Sequence, residues 1–87
     1  MSAPVRVTIT YCAECAYETQ ALDVAGALMT EFGTRLAAIE IIPWAEGTFD
    51  VRVADELVHS MVRDGGFPHP SDVALSVHDA LARNRDA

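Results

Sequence analysis

The chain has two cysteines, Cys12 and Cys15, and only two residues lie between them. They follow an apolar run typical of a strand, from Val5 to Tyr11, and precede a run typical of a helix. Free backbone N–H groups at a helix start, together with the positive end of the helix dipole, favour the thiolate, which is the reactive form of cysteine. A disulfide this local removes only about 2 kcal/mol or less of unfolded-chain entropy, so stability is a poor reason for it. The motif therefore predicts redox chemistry.

Three interpretations of Cys12 and Cys15 remain open at this stage: a redox pair, which we favour, a pair of metal ligands, or inert thiols. In a redox pair a thiolate attacks an oxidised sulfur, and the second cysteine resolves the mixed disulfide. An early helical position favours the thiolate at Cys15, whereas the charge of neighbouring Glu14 opposes it. The chain contains no lysine, and Arg6 lies on the preceding strand.

Metal binding has weaker support. A structural zinc site needs four ligands, and the candidates beyond the cysteines are His59, His69 and His78, spread over a predicted strand, a loop and a helix. Because no second pair has the spacing of metal ligands, we expect no metal site. We expect His59 to be a surface or edge-strand residue, and His69 and His78 to be exposed.

The composition limits the classes of partner. The 13 acidic and 6 basic residues give a net charge of -7, which disfavours nucleic acid and anionic membranes. No apolar run approaches the roughly 18 residues of a membrane span, and the N-terminus has no signal-peptide pattern. We therefore expect a cytoplasmic protein of one domain, with its core over about residues 4–83. The oligomeric state stays open.

The first half of the chain predicts a strand, a helix and a second strand. Alternating apolar residues mark the first strand from Val5 to Tyr11. A helix is predicted from about Tyr17 to Phe32, with Gly33 as a left-handed cap. The second strand, Leu36 to Ile42, is ended by Pro43 and lies parallel to the first through a right-handed crossover. The helix should bury a face consisting of Ala21, Leu22, Ala25, Leu28, Met29 and Phe32.

The second half predicts a hairpin and a final helix. Strands at Phe49–Val53 and Leu57–Val62 are close enough for an antiparallel pair, and a loop follows over residues 63–70. Ser71 should cap the last helix, with the tail fraying from Asn84. The core face of this helix should be Val73, Val77, Ala80 and Leu81. The order β-α-β-β-β-α predicts an α/β, thioredoxin-like fold: a four-stranded mixed sheet with two main helices.

Four segments carry a resemblance to a known family. They are Tyr11-Cys12-Ala13-Glu14-Cys15, Gly47-Thr48-Phe49-Asp50-Val51, Leu57-Val58-His59-Ser60 and Gly65-Gly66-Phe67-Pro68. In these segments and their order, the chain resembles the selenoprotein W-like group of small thioredoxin-fold proteins, in the cysteine-containing form common in bacteria.

The resemblance implies a thiol–disulfide oxidoreductase or redox-regulatory role on protein thiols or glutathione. No cofactor is implied beyond glutathione as a candidate co-substrate. In selenoprotein members the second motif position is selenocysteine, so the reactive position maps onto Cys15, with Cys12 as its partner. The chain lacks the proline directly before Phe49 that thioredoxins usually carry as a cis-proline facing the disulfide.

Three aromatic residues are candidates for substrate docking: Tyr11, Trp44 and Phe67. For Phe67 we favour a core position under the second helix over a docking position beside the motif. Tyr11 and Tyr17 flank the cysteines and either shield the sulfurs from water or belong to the core. The alternative function is a non-catalytic interaction module that docks a partner through the face around Cys12, Trp44 and Phe67.

Overall fold

A computed structural model describes residues 5–85 of the chain. The strands are β1 (Val5–Cys12), β2 (Leu36–Trp44), β3 (Phe49–Val53) and β4 (Glu56–Ser60). The helices are α1 (Glu18–Phe32), the short α2 (Met61–Asp64) and α3 (Pro70–Arg85). This mixed α/β architecture confirms the predicted fold class.

The four strands form one mixed sheet in the order β2-β1-β3-β4. Strand β1 pairs parallel with β2 and antiparallel with β3, and β3 pairs antiparallel with β4. The central strand β1 therefore carries the cysteine motif at its carboxyl end, next to the start of β3.

The core lies on one face of the sheet. Val5, Val7 and Ile9 of β1 are fully buried, while the alternate residue Arg6 is exposed, as the two-residue period of a strand requires. Helices α1 and α3 contact each other and the sheet, and they supply the rest of the core. The predicted face of α3 is confirmed, since Val73, Val77, Ala80 and Leu81 are all buried.

The predicted face of α1 is partly wrong. Leu22 and Met29 are 61% and 59% exposed, and Val24, absent from the prediction, is buried in the core. Val24 is three residues after Ala21 and four before Leu28, so it lies on the buried stripe, and Leu22 and Met29 fall to its side.

Two strand ends differ from the prediction. Strand β2 continues through Pro43 to Trp44, which is possible because an edge strand has N–H groups that need no ladder partner. Strand β4 ends at Ser60, not Val62, because Ser60 is the N-cap of α2, which begins at Met61. The Ser60 hydroxyl accepts from the Arg63 N–H at 3.5 Å, and the Ser60 N–H donates to Asp64 Oδ2 at 3.0 Å.

The helix caps also differ. Helix α3 begins at Pro70, so Ser71 lies inside its first turn and is not the cap. The carbonyl of His69 accepts from the N–H groups of Asp72 and Val73, and proline suits a first helical position because its missing N–H would be unpaired there. The helix continues through Asn84, where fraying was predicted, to Arg85. Gly33 has φ 53° but ψ -124°, so it ends α1 without the predicted left-handed cap.

Among residues 5–85, no helix is long and apolar enough to cross a membrane.

Candidate redox site

The cysteine motif lies in a turn between β1 and α1. Helix α1 begins at Glu18, three residues after Cys15, so the predicted early helical position of Cys15 is wrong. Ala16 has a positive φ of 61°, which interrupts the helical path before it can reach the motif. The turn is closed by the Tyr17 N–H, which donates to the Cys12 carbonyl at 3.3 Å.

Cys12 and Cys15 form a disulfide, with their Cα atoms 5.3 Å apart. The two residues differ sharply in exposure: Cys12 has no accessible surface, whereas Cys15 is exposed. Access decides which sulfur of a disulfide an external thiol can reach. The pair is therefore asymmetric, with one residue exposed to solvent and the other in the interior.

Strand β2 supports the first half of this turn. Cys12 is the register partner of Trp44, and the Ala13 N–H donates to the Trp44 carbonyl at 2.9 Å. Because β2 extends past Pro43, its last residue provides the acceptor that holds the chain as it leaves β1.

Phe67 packs against two aromatic rings beside the motif. Its ring centroid lies 4.9 Å from that of Tyr17 and 5.1 Å from that of Phe49, with both pairs edge to face, an arrangement that aromatic quadrupoles favour. Phe49 is fully buried and Phe67 is 38% exposed. Phe67 thus contacts the buried Phe49 but is itself exposed, so the favoured core position is wrong, while a docking position stays a prediction.

The other two docking candidates do not share one surface. Tyr11 is half-buried and is the register partner of Phe49, on the helix-covered face. Trp44 is 62% exposed and is the register partner of Cys12, the residue after Tyr11. Successive residues of a strand point to opposite faces of the sheet. Cys12 itself offers no surface to a partner. The docking role of Tyr11, Trp44 and Phe67 stays a prediction.

His59 connects β4 to the loop that contains Phe67 through a side-chain contact. It lies in the edge strand, as predicted, but its side chain is only 12% exposed and is not a free surface group. Its Nε2 lies 2.9 Å from the Gly66 carbonyl, and its Nδ1 lies 3.7 Å from Asp64 Oδ2. Sequence reasoning assigned His59 no role; its closeness to the Gly-Gly loop is visible only in three dimensions.

Asp64 is the charged anchor of this loop. The Arg63 guanidinium, bonded to both carboxyl oxygens, and then the Ser60 backbone N–H hold the pKa of the Asp64 carboxyl well below its ordinary range. Hydrogen bonding to the Asp64 carboxylate in turn raises the pKa of Arg63.

The remaining histidines are exposed, as predicted. His78 pairs with Glu31 of α1, and its ring packs 4.7 Å from that of Phe32. Within residues 5–85, no group of three or more His, Cys, Asp or Glu side chains is placed to hold a metal ion.

The fold and this site define a redox-related, thioredoxin-like protein. Residues 6–79 match the family model described as the Rdx family, so the chain belongs to that family. This confirms the selenoprotein W-like resemblance.

The chain is also similar to known relatives and to solved structures. The protein called migration and invasion enhancer 1 is 31% identical over 78 residues in both cattle and mouse. Each match covers 87% of this chain, which spans 64% of the length of these relatives. A Bordetella parapertussis protein of 29% identity superposes with a TM-score of 0.85, covering 91% of this chain and 100% of its own. A selenoprotein W-related protein from Vibrio cholerae, 19% identical, shares the fold with a TM-score of 0.87, covering 91% and 99%.

Proposed function

We propose that this protein is a thiol–disulfide oxidoreductase in which Cys15 exchanges with the external sulfur and Cys12 resolves the intermediate. The observation that carries the proposal is the exposure of Cys15 beside the complete burial of Cys12. An external thiol approaching the disulfide meets the Cys15 sulfur first. This assignment agrees with the reactive position implied by the family resemblance.

In the reducing direction the protein starts as a dithiol. The Cys15 thiolate attacks one sulfur of a substrate disulfide, whose S–S bond breaks, and the other substrate sulfur leaves with the electron pair and takes up a proton. The Cys12 thiolate then attacks the Cys15 sulfur and releases the second substrate thiolate, which is also protonated. Two electrons and two protons pass to the substrate, and the protein is left with the disulfide of the present structure.

The same steps run backwards when a thiol reduces the disulfide. A thiolate of glutathione or of a protein dithiol attacks Cys15 and displaces Cys12, which leaves as a thiolate and takes up a proton. A second glutathione, or the second thiol of the protein dithiol, then attacks the substrate sulfur of the mixed disulfide and releases Cys15, which is also protonated. The substrate class is therefore protein thiols and disulfides or glutathione, in the cytoplasm, with no cofactor needed for the electron transfer.

Tyr17 and Phe67 form an aromatic wall next to the cysteine turn. The Tyr17 N–H closes the cysteine turn, and the Tyr17 ring contacts Phe67. An aromatic wall of this kind gives an incoming polypeptide an apolar surface next to the reacting sulfur. Docking at this wall would orient the substrate sulfur toward Cys15.

The test is a titration of the Cys12/Cys15 pair in glutathione or dithiothreitol buffers. We expect a reversible internal disulfide with a potential between about -180 and -270 mV, the range of working dithiol exchangers. With a substrate disulfide, Cys12→Ser should accumulate a mixed disulfide on Cys15, because the resolving thiol is gone. The matched variant Cys15→Ser should react more slowly by two orders of magnitude or more, because only the buried thiol remains.

Two results would overturn this assignment. Trapping by Cys15→Ser at the rate of Cys12→Ser would remove the asymmetry between the sulfurs. Slow reaction of both thiols near neutral pH, with partner binding retained in a Cys12→Ser/Cys15→Ser double variant, would instead indicate the non-catalytic interaction module.

A further inference from the structure

A small cavity that opens to solvent lies between the first turns of α1 and the segment that leads into α3, and Phe67 forms one of its walls. Its volume is about 80 Å³, against roughly 30 Å³ for one molecule of liquid water. Its apolar walls are Val24, Phe49, Phe67, Pro68 and Pro70. It can therefore hold the end of a side chain but not a large ligand.

Two polar residues of α1, Gln20 and Asp23, complete the cavity. Gln20 Oε1 is buried and has no hydrogen-bond partner in the described part of the chain. Buried polar atoms almost always have a partner, so an unpaired acceptor requires an explanation. Asp23 lies three residues further along the helix, on the same side, and adds a carboxylate at the rim.

The chemistry of these walls selects the ligand. The free acceptor on Gln20 needs an N–H or O–H donor, and the Asp23 carboxylate favours a donor that carries positive charge. No basic residue lines the cavity, so its negative charge has no internal counter-ion there. The apolar walls suit methylene groups, and Phe67 adds an aromatic ring toward which a cation is attracted.

We propose that this cavity is a specificity subsite that receives a lysine or arginine side chain of a polypeptide substrate while Cys15 exchanges with a nearby substrate sulfur. The inference rests on the proposed function, because it names the substrate class of the same site. The contact between Tyr17 and Phe67 connects the cavity to the cysteine turn. The net charge of -7 also draws basic segments toward the chain.

Glutathione could present an ammonium group of the same chemistry. It carries two carboxylates for that one ammonium, however, and both would enter a region where Glu14, Glu18 and Asp23 are exposed. A basic segment of a protein has no such opposing charge, so it is the ligand that the site favours.

The first experiment measures exchange rates with two peptide disulfides that differ only in a lysine or a norleucine beside the cysteine. We expect the wild-type protein to react about 5-fold or more faster with the lysine peptide, the effect of one charge-assisted contact. Gln20→Met, which keeps the side-chain length but removes the acceptor, and Asp23→Asn should each reduce this preference by at least half. The matched control is Asp55→Asn, which makes the same charge change in the turn at the opposite end of the sheet and should leave the preference unchanged.

The second experiment separates binding from exchange. The disulfide form is titrated with the lysine peptide carrying serine in place of cysteine, while NMR follows the side-chain amide of Gln20. A saturable shift that the norleucine peptide does not produce supports the subsite even if the protein never exchanges disulfides. That combination would reject the proposed function and keep the subsite.

Three outcomes would overturn the inference. In the first, the wild-type protein reacts with the two peptides at equal rates. In the second, Asp23→Asn and Asp55→Asn lose the same amount of preference for the lysine peptide. In the third, Gln20→Met loses as much exchange activity with glutathione disulfide as with the lysine peptide. The second would reduce the effect to overall charge, and the third would assign the cavity to the glutathione ammonium.

Discussion

The two ends of the sheet are built by different kinds of interaction. At the turn end, where β1 starts and β3 passes to β4, Ala54 and Asp55 form a two-residue turn. The Ala54 N–H donates to the Arg6 carbonyl at 3.0 Å, so backbone bonds close this end. At the disulfide end, where β1 stops and β3 begins, the strands lead into longer segments.

At the disulfide end, side-chain contacts add to backbone bonds such as the one from the Tyr17 N–H to the Cys12 carbonyl. The Asp64 carboxylate accepts from the Ser60 N–H at the start of α2, and His59 lies within hydrogen-bond distance of the Gly66 carbonyl. Phe67 packs between Tyr17 and Phe49. A two-residue backbone turn offers few side chains for chemistry. The longer segments at the disulfide end include an exposed cysteine and line a cavity. The function that we propose for this end thus depends on a few individual contacts.

The largest expected effect is on Phe49, which lies at the disulfide end and also belongs to the core. Phe49→Ala should lower the free energy of unfolding by about 3 to 5 kcal/mol, because it leaves a cavity under a fully buried ring. Phe67→Ala should cost about 1 to 2 kcal/mol, since that ring is partly exposed, but should slow exchange at Cys15. Urea unfolding measures the loss of stability, and exchange kinetics measure the effect at Cys15. A Phe67→Ala variant that exchanges slowly but keeps its stability would still fit a docking role for Phe67.

Loss of exchange in Phe49→Leu without any change in stability would break the comparison. That result would mean that core support and substrate docking are not divided between Phe49 and Phe67 at the disulfide end.

The next effect concerns the charged anchor of the disulfide end. The pKa of folded Asp64 lies below its unfolded value of about 4, so its contribution to stability is complete above that pH and is lost as the pH falls toward the folded pKa. We expect Asp64→Asn to be less stable than wild type at pH 7, with the difference shrinking below about pH 4. Urea unfolding from pH 7 to pH 3 tests this, and a difference that stays constant with pH would contradict it.

The smallest effect compares one backbone feature at both ends. Ala16 in the cysteine turn and Ala54 in the hairpin turn have φ of 61° and 51°, a region that costs an L-residue about 1 to 2 kcal/mol. Glycine at either position should raise stability by about 0.5 to 1 kcal/mol after its larger unfolded-state entropy is counted. Thermal unfolding measures this gain in both variants.

Only Ala16→Gly should also shift the reduction potential of the cysteine pair, because it loosens the turn that joins Cys15 to α1. A shift of similar size in Ala54→Gly would show that the two ends are coupled through β1 and β3.

Much of the fold could be predicted because local patterns set it. The alternation of Val5, Val7 and Ile9 and the core spacing along α3 are properties of neighbouring residues. The errors fall where a distant or competing contact decided the outcome. Ser60 caps a helix inside a predicted strand because Asp64 returns its hydrogen bond, and Pro70 starts α3 one residue before Ser71.

The candidate site divides in the same way. The spacing of Cys12 and Cys15 and their place after an apolar strand are properties of the sequence, and they indicated redox chemistry without a structure. Only the tertiary structure decided that Cys12 is buried and Cys15 exposed, that Phe67 meets Tyr17, and that Gln20 keeps an unpaired acceptor. The physical reason is that periodicity and turn chemistry act over a few residues, whereas burial depends on which distant segments pack over a group.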